Sequence, residues 1–120
     1  MNKDAIQNLM KTTDELKALA NQKLRAKEKF ESNITLGYDG GLFKIDIQLL
    51  NYVAYLLTNG KRENTVIVDS NENPILVKDV KDFQDNIQDR YYTALDIYHN
   101  DYKDLERLKI STARYVDLET

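Results

Sequence analysis

The feature that most constrains this chain is the run from Asp79 to the C-terminus, which contains neither glycine nor proline. Apolar residues recur along it at three- and four-residue steps, so the run predicts one helix over about residues 79–118. At 1.5 Å per residue, that helix is roughly 50 to 60 Å long. A helix of this length needs a second helix, from this chain or from a partner, against part of its apolar stripe.

A second long helix is predicted over about residues 3–31. Its apolar residues form a narrow stripe that is typical of a coiled-coil seam. The stripe consists of Ile6, Leu9, Thr13, Leu16, Ala20 and Leu24. We therefore expect the two end helices to pack antiparallel as a stalk. The longer C-terminal helix then has no predicted partner in this chain around Leu108, Tyr115 and Val116.

The segment between these helices, about residues 32–78, predicts a small head with two β-hairpins. Asp39-Gly40 separates two short alternating runs and is a strong hairpin signal, because both residues tolerate positive φ. The turn-forming stretch Asp69 to Pro74 separates two β-branched runs and predicts the second hairpin.

Between the hairpins, a short helix is predicted over residues 47–58. Asp46 suits its N-cap and Asn59-Gly60 its C-terminal stop. The helix is apolar almost all round, so we expect it to be covered on more than one side and to form the centre of the core. Asp79 then caps the C-terminal helix, with Asp82 in the place of a capping-box acid.

The predicted fold class is therefore α+β and mainly helical, as a single domain over residues 1–120. The composition agrees with a folded protein, since 42% of the residues are hydrophobic and 31% are charged. The net charge of -3 has no dense basic block, so we expect no nucleic-acid partner. We also expect no membrane association, since no apolar stretch is long enough to span a bilayer.

No set of residues in the sequence predicts catalysis, a cofactor or a metal site. Cysteine is absent, and the one histidine, His99, has no evident partner for acid–base chemistry. Asp69, Asn71 and Asn73 resemble the start of a calcium loop, but the glycine and bidentate glutamate that such a loop needs are replaced by Pro74 and Val80. A plain hairpin turn is the better interpretation, and we expect a protein that is not an enzyme.

The candidate site is instead a contact surface on the two long helices. The eight tyrosines are the one marked enrichment, and tyrosine suits interfaces because it combines a large apolar ring with a polar tip. The tyrosines either line the stalk or anchor a partner protein, and the two interpretations merge if the stalk is shared between protomers. The interface candidates are Leu9, Leu16, Phe83, Ile87, Tyr91, Tyr92, Tyr98, Tyr102, Leu108, Tyr115 and Val116.

A resemblance to known proteins rests on the sequence from Val68 to Ile75, followed by Asp79 to Phe83 and by Arg90-Tyr91. This pattern, a D-x-N-x-N-P-I turn that leads into a helix with an early aromatic residue, resembles small proteins encoded by tailed bacteriophages, including marine myoviruses. The resemblance implies a virion or assembly component, found in the virion or the host cytoplasm, whose partners are itself and other assembly proteins.

Two alternatives remain open from the sequence. A small phage protein that inhibits or sequesters a host factor or small molecule would need a concave pocket lined by tyrosine and arginine. The helix–hairpin–helix order also resembles prefoldin, a coiled-coil chaperone, although this chain differs by placing an apolar helix between its hairpins.

Overall fold

The computed structural model describes the backbone of residues 3–119 and the side chains of residues 4–107. Three helices and four strands follow one another along the chain. They are α1 (Lys3–Asn33), β1 (Thr35–Tyr38), β2 (Gly41–Lys44), α2 (Ile47–Thr58), β3 (Glu63–Val68), β4 (Pro74–Asp79) and α3 (Val80–Glu119). The predicted mainly helical α+β class, with two long end helices, two antiparallel hairpins and a middle helix, is confirmed.

The first hairpin closes through the predicted Asp39-Gly40 turn. Both residues have positive φ, 48° and 84°, as a two-residue turn between twisted strands requires. Tyr38 pairs with Gly41 directly beside the turn, and Leu36 pairs with Phe43 further along. The side chain of Phe43 consequently enters the core, where it is 1% exposed.

The second hairpin closes through the loop from Asp69 to Asn73, whose backbone is organised by Asp69. The Asp69 N–H donates to the Asn73 carbonyl at 2.9 Å, and the Asp69 carbonyl accepts the Glu72 N–H at 3.1 Å. Glu72 occupies the left-handed position of the loop, with φ of 63°. The predicted hairpin turn is confirmed.

Local capping sets the start of α2 and α3 where the sequence predicted. The Asp46 carboxylate accepts the Leu49 N–H at 2.7 Å, and the Asp79 carboxylate accepts the Asp82 N–H at 3.0 Å. Asn59 ends α2, and Gly60 follows with φ of 77°. Asp82 has a role that the sequence did not predict, because its carboxylate accepts the Tyr38 hydroxyl at 2.6 Å.

The chain divides into two compact units, and each long helix contributes to both. The head is Phe30–Asp96, and the helical pair is α1 up to Lys29 together with α3 from Ile97 onward. The prediction had placed the whole of α3 in the stalk. The first turns of α3 instead close the head core, because Val80, Phe83 and Ile87 are completely buried there.

The head core is formed by side chains from both hairpins, from α2 and from α3. Phe43 and Phe83 lie at its centre, with ring centroids 4.9 Å apart in an edge-to-face arrangement. The buried members of this core are Ile34, Phe43, Ile45, Val53, Leu56, Ile67, Val77, Val80, Phe83, Ile87 and Ala94.

The two segments of the helical pair run antiparallel. Lys29 forms an ion pair with Asp101 at 3.5 Å, and one turn further Ala26 and Leu105 are both buried and line the same cavity. Contacts further towards the C-terminus of α3 are therefore made by residues further towards the N-terminus of α1, which is the antiparallel arrangement predicted for the stalk.

Candidate functional site

The main candidate site is an exposed apolar surface on α1, which we call the α1 stripe. It consists of Ile6, Leu9, Met10, Leu16 and Leu24, whose exposed fractions lie between 43% and 62%. Ile6, Leu9, Leu16 and Leu24, taken together with the exposed Thr13 and Ala20, recur at the three- and four-residue steps predicted for a coiled-coil seam, and Met10 lies beside them. The prediction that this stripe packs against α3 is wrong, because its large side chains face solvent.

The face of α1 that is buried is a different one. Thr12 and Ala26 are each 7% exposed, and Leu19 is half-buried between them in sequence. At 3.6 residues per turn, this face lies roughly 120° around the helix from the α1 stripe. Small residues allow close approach of a second helix, and the Thr12 hydroxyl is satisfied because it donates to the Asn8 carbonyl at 3.0 Å.

The predicted interface residues at the start of α3 do not reach the surface. Phe83 and Ile87 are each 0% exposed and belong to the head core. As interface candidates they are corrected to core residues, because the hairpins and α2 already cover that side of α3. They have no surface to offer a partner in this fold.

The tyrosines of α3 differ in exposure. Tyr91 packs against the head core, with its ring 6.5 Å from that of Phe30, whereas Tyr92 is 59% exposed. Tyr98 is half-buried in the helical pair. Tyr102 is 51% exposed, and a hydrogen bond to Glu106 raises the pKa of its hydroxyl.

Three further interface candidates cannot be placed on any surface. Leu108, Tyr115 and Val116 lie outside the residues whose side chains are described. Their expected contact with another subunit stays a prediction.

A second exposed apolar surface lies on the head. The prediction that α2 is covered on more than one side is wrong, because only Val53 and Leu56 are buried, whereas Ile47, Tyr52 and Tyr55 are 46% to 62% exposed. The sequence shows an apolar helix, but the head core covers only the side of it that carries Val53 and Leu56. The sequence signal for this exposure is the presence of Tyr52 and Tyr55, whose hydroxyl groups suit a position between the apolar core and solvent.

Beside this exposed side of α2 lies a cavity of about 430 Å³, which we call the head groove. One wall is α2, with Leu49 and Tyr52, and the other is β3, with Val66 and Val68. The remaining lining residues are Phe43, Lys44, Asp46, Gln48, Ile67, Asp69 and Ser70. A separate cavity in the helical pair has Arg25 and Asp101 in its lining, and none of the described residues that line it is a tyrosine.

One carboxylate stands out at the edge of the head groove. Asp69 is 7% exposed and accepts the backbone N–H groups of Leu42, Asn71 and Asn73 at 2.8 to 3.0 Å. The hydrogen bond from Leu42, followed by that from Asn73, lowers the pKa of Asp69. Because these bonds occupy both carboxylate oxygens, Asp69 acts as a structural acceptor rather than as an acid or base.

The described residues contain no cluster of three or more histidine or acidic side chains that could hold a metal ion. His99 lies on the exposed side of α3. None of the helices, over the described part of the chain, is both long enough and apolar enough to cross a bilayer.

Comparison with known proteins does not assign a function to these surfaces. No protein-family model matches this chain, and neither the curated proteins nor the solved structures include a significantly similar one.

Proposed function

We propose that this protein is a non-enzymatic assembly protein that associates with further copies of itself through the α1 stripe. The observation that supports this proposal is the exposure of five large apolar side chains along one face of a helix. Burying each such side chain contributes about 1.5–3 kcal/mol relative to full exposure. An exposed apolar row of this kind is a recognised mark of a protein–protein contact.

The stripe suits a second copy of the same chain. From Ile6 to Leu16 the residues on this face are uncharged, and Thr13 is the only polar one among them. An uncharged apolar row at coiled-coil spacing is complementary to itself, because each side chain can enter the gap between those of an identical helix.

The biological setting follows from the resemblance of residues 68–91 to small tailed-phage proteins. On that basis the assembled species is a structural or assembly component, located in the virion or the host cytoplasm. Its partners are further copies of itself and other virion or assembly proteins. Neither nucleic acid nor a cofactor is needed for this function.

Light scattering on the intact chain tests the proposal. The wild type should show a mass well above that of one 14.0 kDa chain, and Leu16→Glu should reduce it, because a buried charge in the contact is costly. Tyr55→Glu is the matched control, since Tyr55 is 62% exposed on α2 and outside the stripe. A wild-type mass of one chain, or equal effects of the two substitutions, would contradict the proposal.

A further inference from the structure

The strand edges of the head differ in how they are closed. Each hairpin is a two-stranded sheet, so every strand has one edge whose backbone groups are not used by its partner strand. Such edges attract other chains unless side chains block them. The edge of β2 is blocked in this structure, and those of β1 and β4 are blocked in part.

The blocking contacts are specific. On β2, the Leu42 N–H donates to the Asp69 carboxylate at 3.0 Å and its carbonyl accepts the Ser70 N–H at 2.9 Å. On β4, Pro74 has no N–H, and the Lys78 N–H donates to the Asp39 carboxylate at 3.0 Å.

On β1, a guanidinium closes part of the edge. The Thr35 carbonyl accepts from the Arg90 side chain at 3.1 Å. The next position along that edge is Gly37, which has no side chain to contribute to a contact.

The outer edge of β3 is open at Val66 and Val68. The Asp69 N–H donates to the Asn73 carbonyl, so Asp69 and Asn73 form a hydrogen-bonded pair. Because hydrogen-bonded pairs alternate with non-bonded pairs along an antiparallel ladder, the next hydrogen-bonded pair is Ile67 with Ile75. Val66 and Val68 lie between these pairs, and their N–H and C=O groups therefore point away from β4. Their side chains are 55% and 61% exposed and carry no charge that would repel another strand.

This open edge is one wall of the head groove. Leu49 and Tyr52 of α2 form the opposite wall, and both are available at the groove surface. The site therefore combines a row of backbone donors and acceptors with an apolar surface for side chains. That combination is the one used when an extended peptide adds a strand to a sheet.

We infer that the head groove binds an extended segment of another protein, which adds to β3 as a third strand. Backbone groups that repeat every second residue match only an extended chain, because a helix satisfies its own backbone. The segment carries apolar side chains at alternate positions, to contact Leu49, Tyr52 and the two valines. Lys44 and Asp46, which also line the groove, have opposite charges, so we expect the bound segment to carry no net charge.

A second copy of this chain is a poorer occupant. Antiparallel pairing of two β3 edges about a twofold axis would bring both α2 helices to the same side of the junction. Each α2 already stands beside its own edge, so the two helices would compete for the same space. The inference is also independent of the α1 stripe, which lies on a different element.

The test uses three soluble peptides and the intact chain. The parent probe is an acetylated and amidated heptapeptide that alternates threonine and valine between a terminal lysine and a terminal glutamate, so that its net charge is zero. Two derivatives carry N-methyl groups, either on the residues whose N–H groups would face β3 or on the alternate residues. Binding is followed by NMR chemical shifts and by amide hydrogen exchange of Val66 and Val68.

The parent peptide should bind below about 1 mM and slow amide exchange at Val66 and Val68. N-methylation of the residues whose N–H groups face β3 should weaken binding roughly tenfold or more. N-methylation of the alternate residues should have little effect, because their N–H groups do not bond to β3. Absence of parent binding, or equal binding of the two derivatives, would overturn the inference.

A variant of the protein provides the second arm. Val66→Pro removes only an outward N–H, which an edge strand tolerates, so the fold should persist while peptide binding is lost. Val66→Thr keeps the backbone donor and should bind within a few fold of the wild type. If Val66→Pro instead lowers the mass of the self-associated protein, a second copy occupies the edge and the inference is wrong.

Leu16→Glu separates this inference from the proposed function. A dissociated Leu16→Glu protein should still bind the peptide, because its head is unchanged. Loss of peptide binding on dissociation would show that the groove depends on assembly and would contradict the independent site inferred here.

Discussion

The carboxylate of Asp69 joins the two hairpins of the head, because its Oδ2 accepts the backbone N–H of Leu42 at 3.0 Å. The other carboxylate oxygen accepts the N–H groups of Asn71 and Asn73 within its own loop. One side chain therefore shapes the β3–β4 loop and holds it against β2. The sequence pattern D-x-N-x-N in this loop is explained by backbone capping and needs no bound cation.

Replacement of Asp69 should destabilise the head in a graded way. Asp69→Asn keeps one acceptor for the loop but places an amide donor opposite the Leu42 N–H, whereas Asp69→Ala removes all three bonds. We expect the midpoint of urea unfolding to fall for Asp69→Asn and further for Asp69→Ala. Asn71→Ala is the control and should change little, since Asn71 uses its backbone N–H here. Equal midpoints for all three variants would contradict this role.

Acid should weaken the wild type in part through the same group. The folded state lowers the pKa of Asp69, so its contribution is present above the ordinary aspartate value of about 3.9 and is lost as the pH falls below it. Unfolding measured between about pH 6 and pH 3 should therefore show a smaller loss of stability for Asp69→Asn than for the wild type. A parallel pH dependence for the two proteins would exclude this contribution.

Gly41 and Gly37 should respond differently to alanine. A Cβ at Gly41 would lie 2.6 Å from Cγ1 of Ile75 and 3.0 Å from a ring carbon of Phe43, so either the hairpin or these side chains must shift. A Cβ at Gly37 meets nothing closer than 3.9 Å. Gly41→Ala should lower the free energy of unfolding by about 1–3 kcal/mol, and Gly37→Ala should be near neutral.

Urea denaturation followed by circular dichroism measures both glycine variants. The double variant Gly41→Ala with Ile75→Ala should lose less stability than the sum of the two single variants, because Ile75→Ala removes both crowding carbons of that side chain, Cγ1 and Cδ1. A Gly41→Ala protein as stable as Gly37→Ala would show that the hairpins have more room than the structure gives them.

Tyr38 should make alkaline stability depend on its hydroxyl. Burial, followed by the hydrogen bond to Asp82, raises the pKa of Tyr38, so the folded state favours the neutral phenol. That contribution is present below the ordinary tyrosine pKa of about 10 and is lost as the pH rises through the raised value. Tyr38→Phe keeps the ring, which lies 4.9 Å from that of Phe83, and loses only the hydroxyl.

We expect Tyr38→Phe to lower the free energy of unfolding near neutral pH by about 0.5–1.5 kcal/mol. Its stability should also fall less steeply than that of the wild type as the pH rises above about 10. Tyr55→Phe, on the exposed side of α2, is the matched control and should alter neither quantity. Identical alkaline profiles for Tyr38→Phe and the wild type would contradict the assignment.

The predicted interface residues should separate into two groups by their effect on a single chain. Phe83→Ala should lower the free energy of unfolding by about 3–5 kcal/mol, because it empties the centre of the head core. Leu9→Ala, at a position 58% exposed, should change it by about 0.5 kcal/mol or less when the protein is dilute enough to be monomeric. Similar losses for both would show that the α1 stripe is buried within one chain.

The sequence was sufficient wherever the cause of a structure is local. Asp46 and Asp79 cap their helices, and Asp39-Gly40 turns the first hairpin, because each contact lies within three residues of its origin. The same is true of the end of α2 at Asn59. The absence of glycine and proline after Asp79 likewise predicted one long helix, and α3 does run to Glu119.

The candidate site was harder to predict because it depends on which face of each helix is covered. Apolar spacing identified Leu9 and Leu16 as one row, but it could not show that the buried face of α1 is instead the one with Thr12 and Ala26. The head groove was missed altogether. Its walls come from α2 and β3, which are separate in sequence. No local sequence pattern predicts that Val66 and Tyr52 line the same cavity.

The sequence by itself determined the order, type and ends of the elements, since caps, turns and periodicity act over a few residues. Only the tertiary structure decided which apolar residues became core and which remained surface. Phe83 and Leu9 look alike as members of helical stripes, yet one is 0% and the other 58% exposed. The physical reason is that burial is a property of two packed elements, and the spacing of a helical stripe does not show whether a second element covers it.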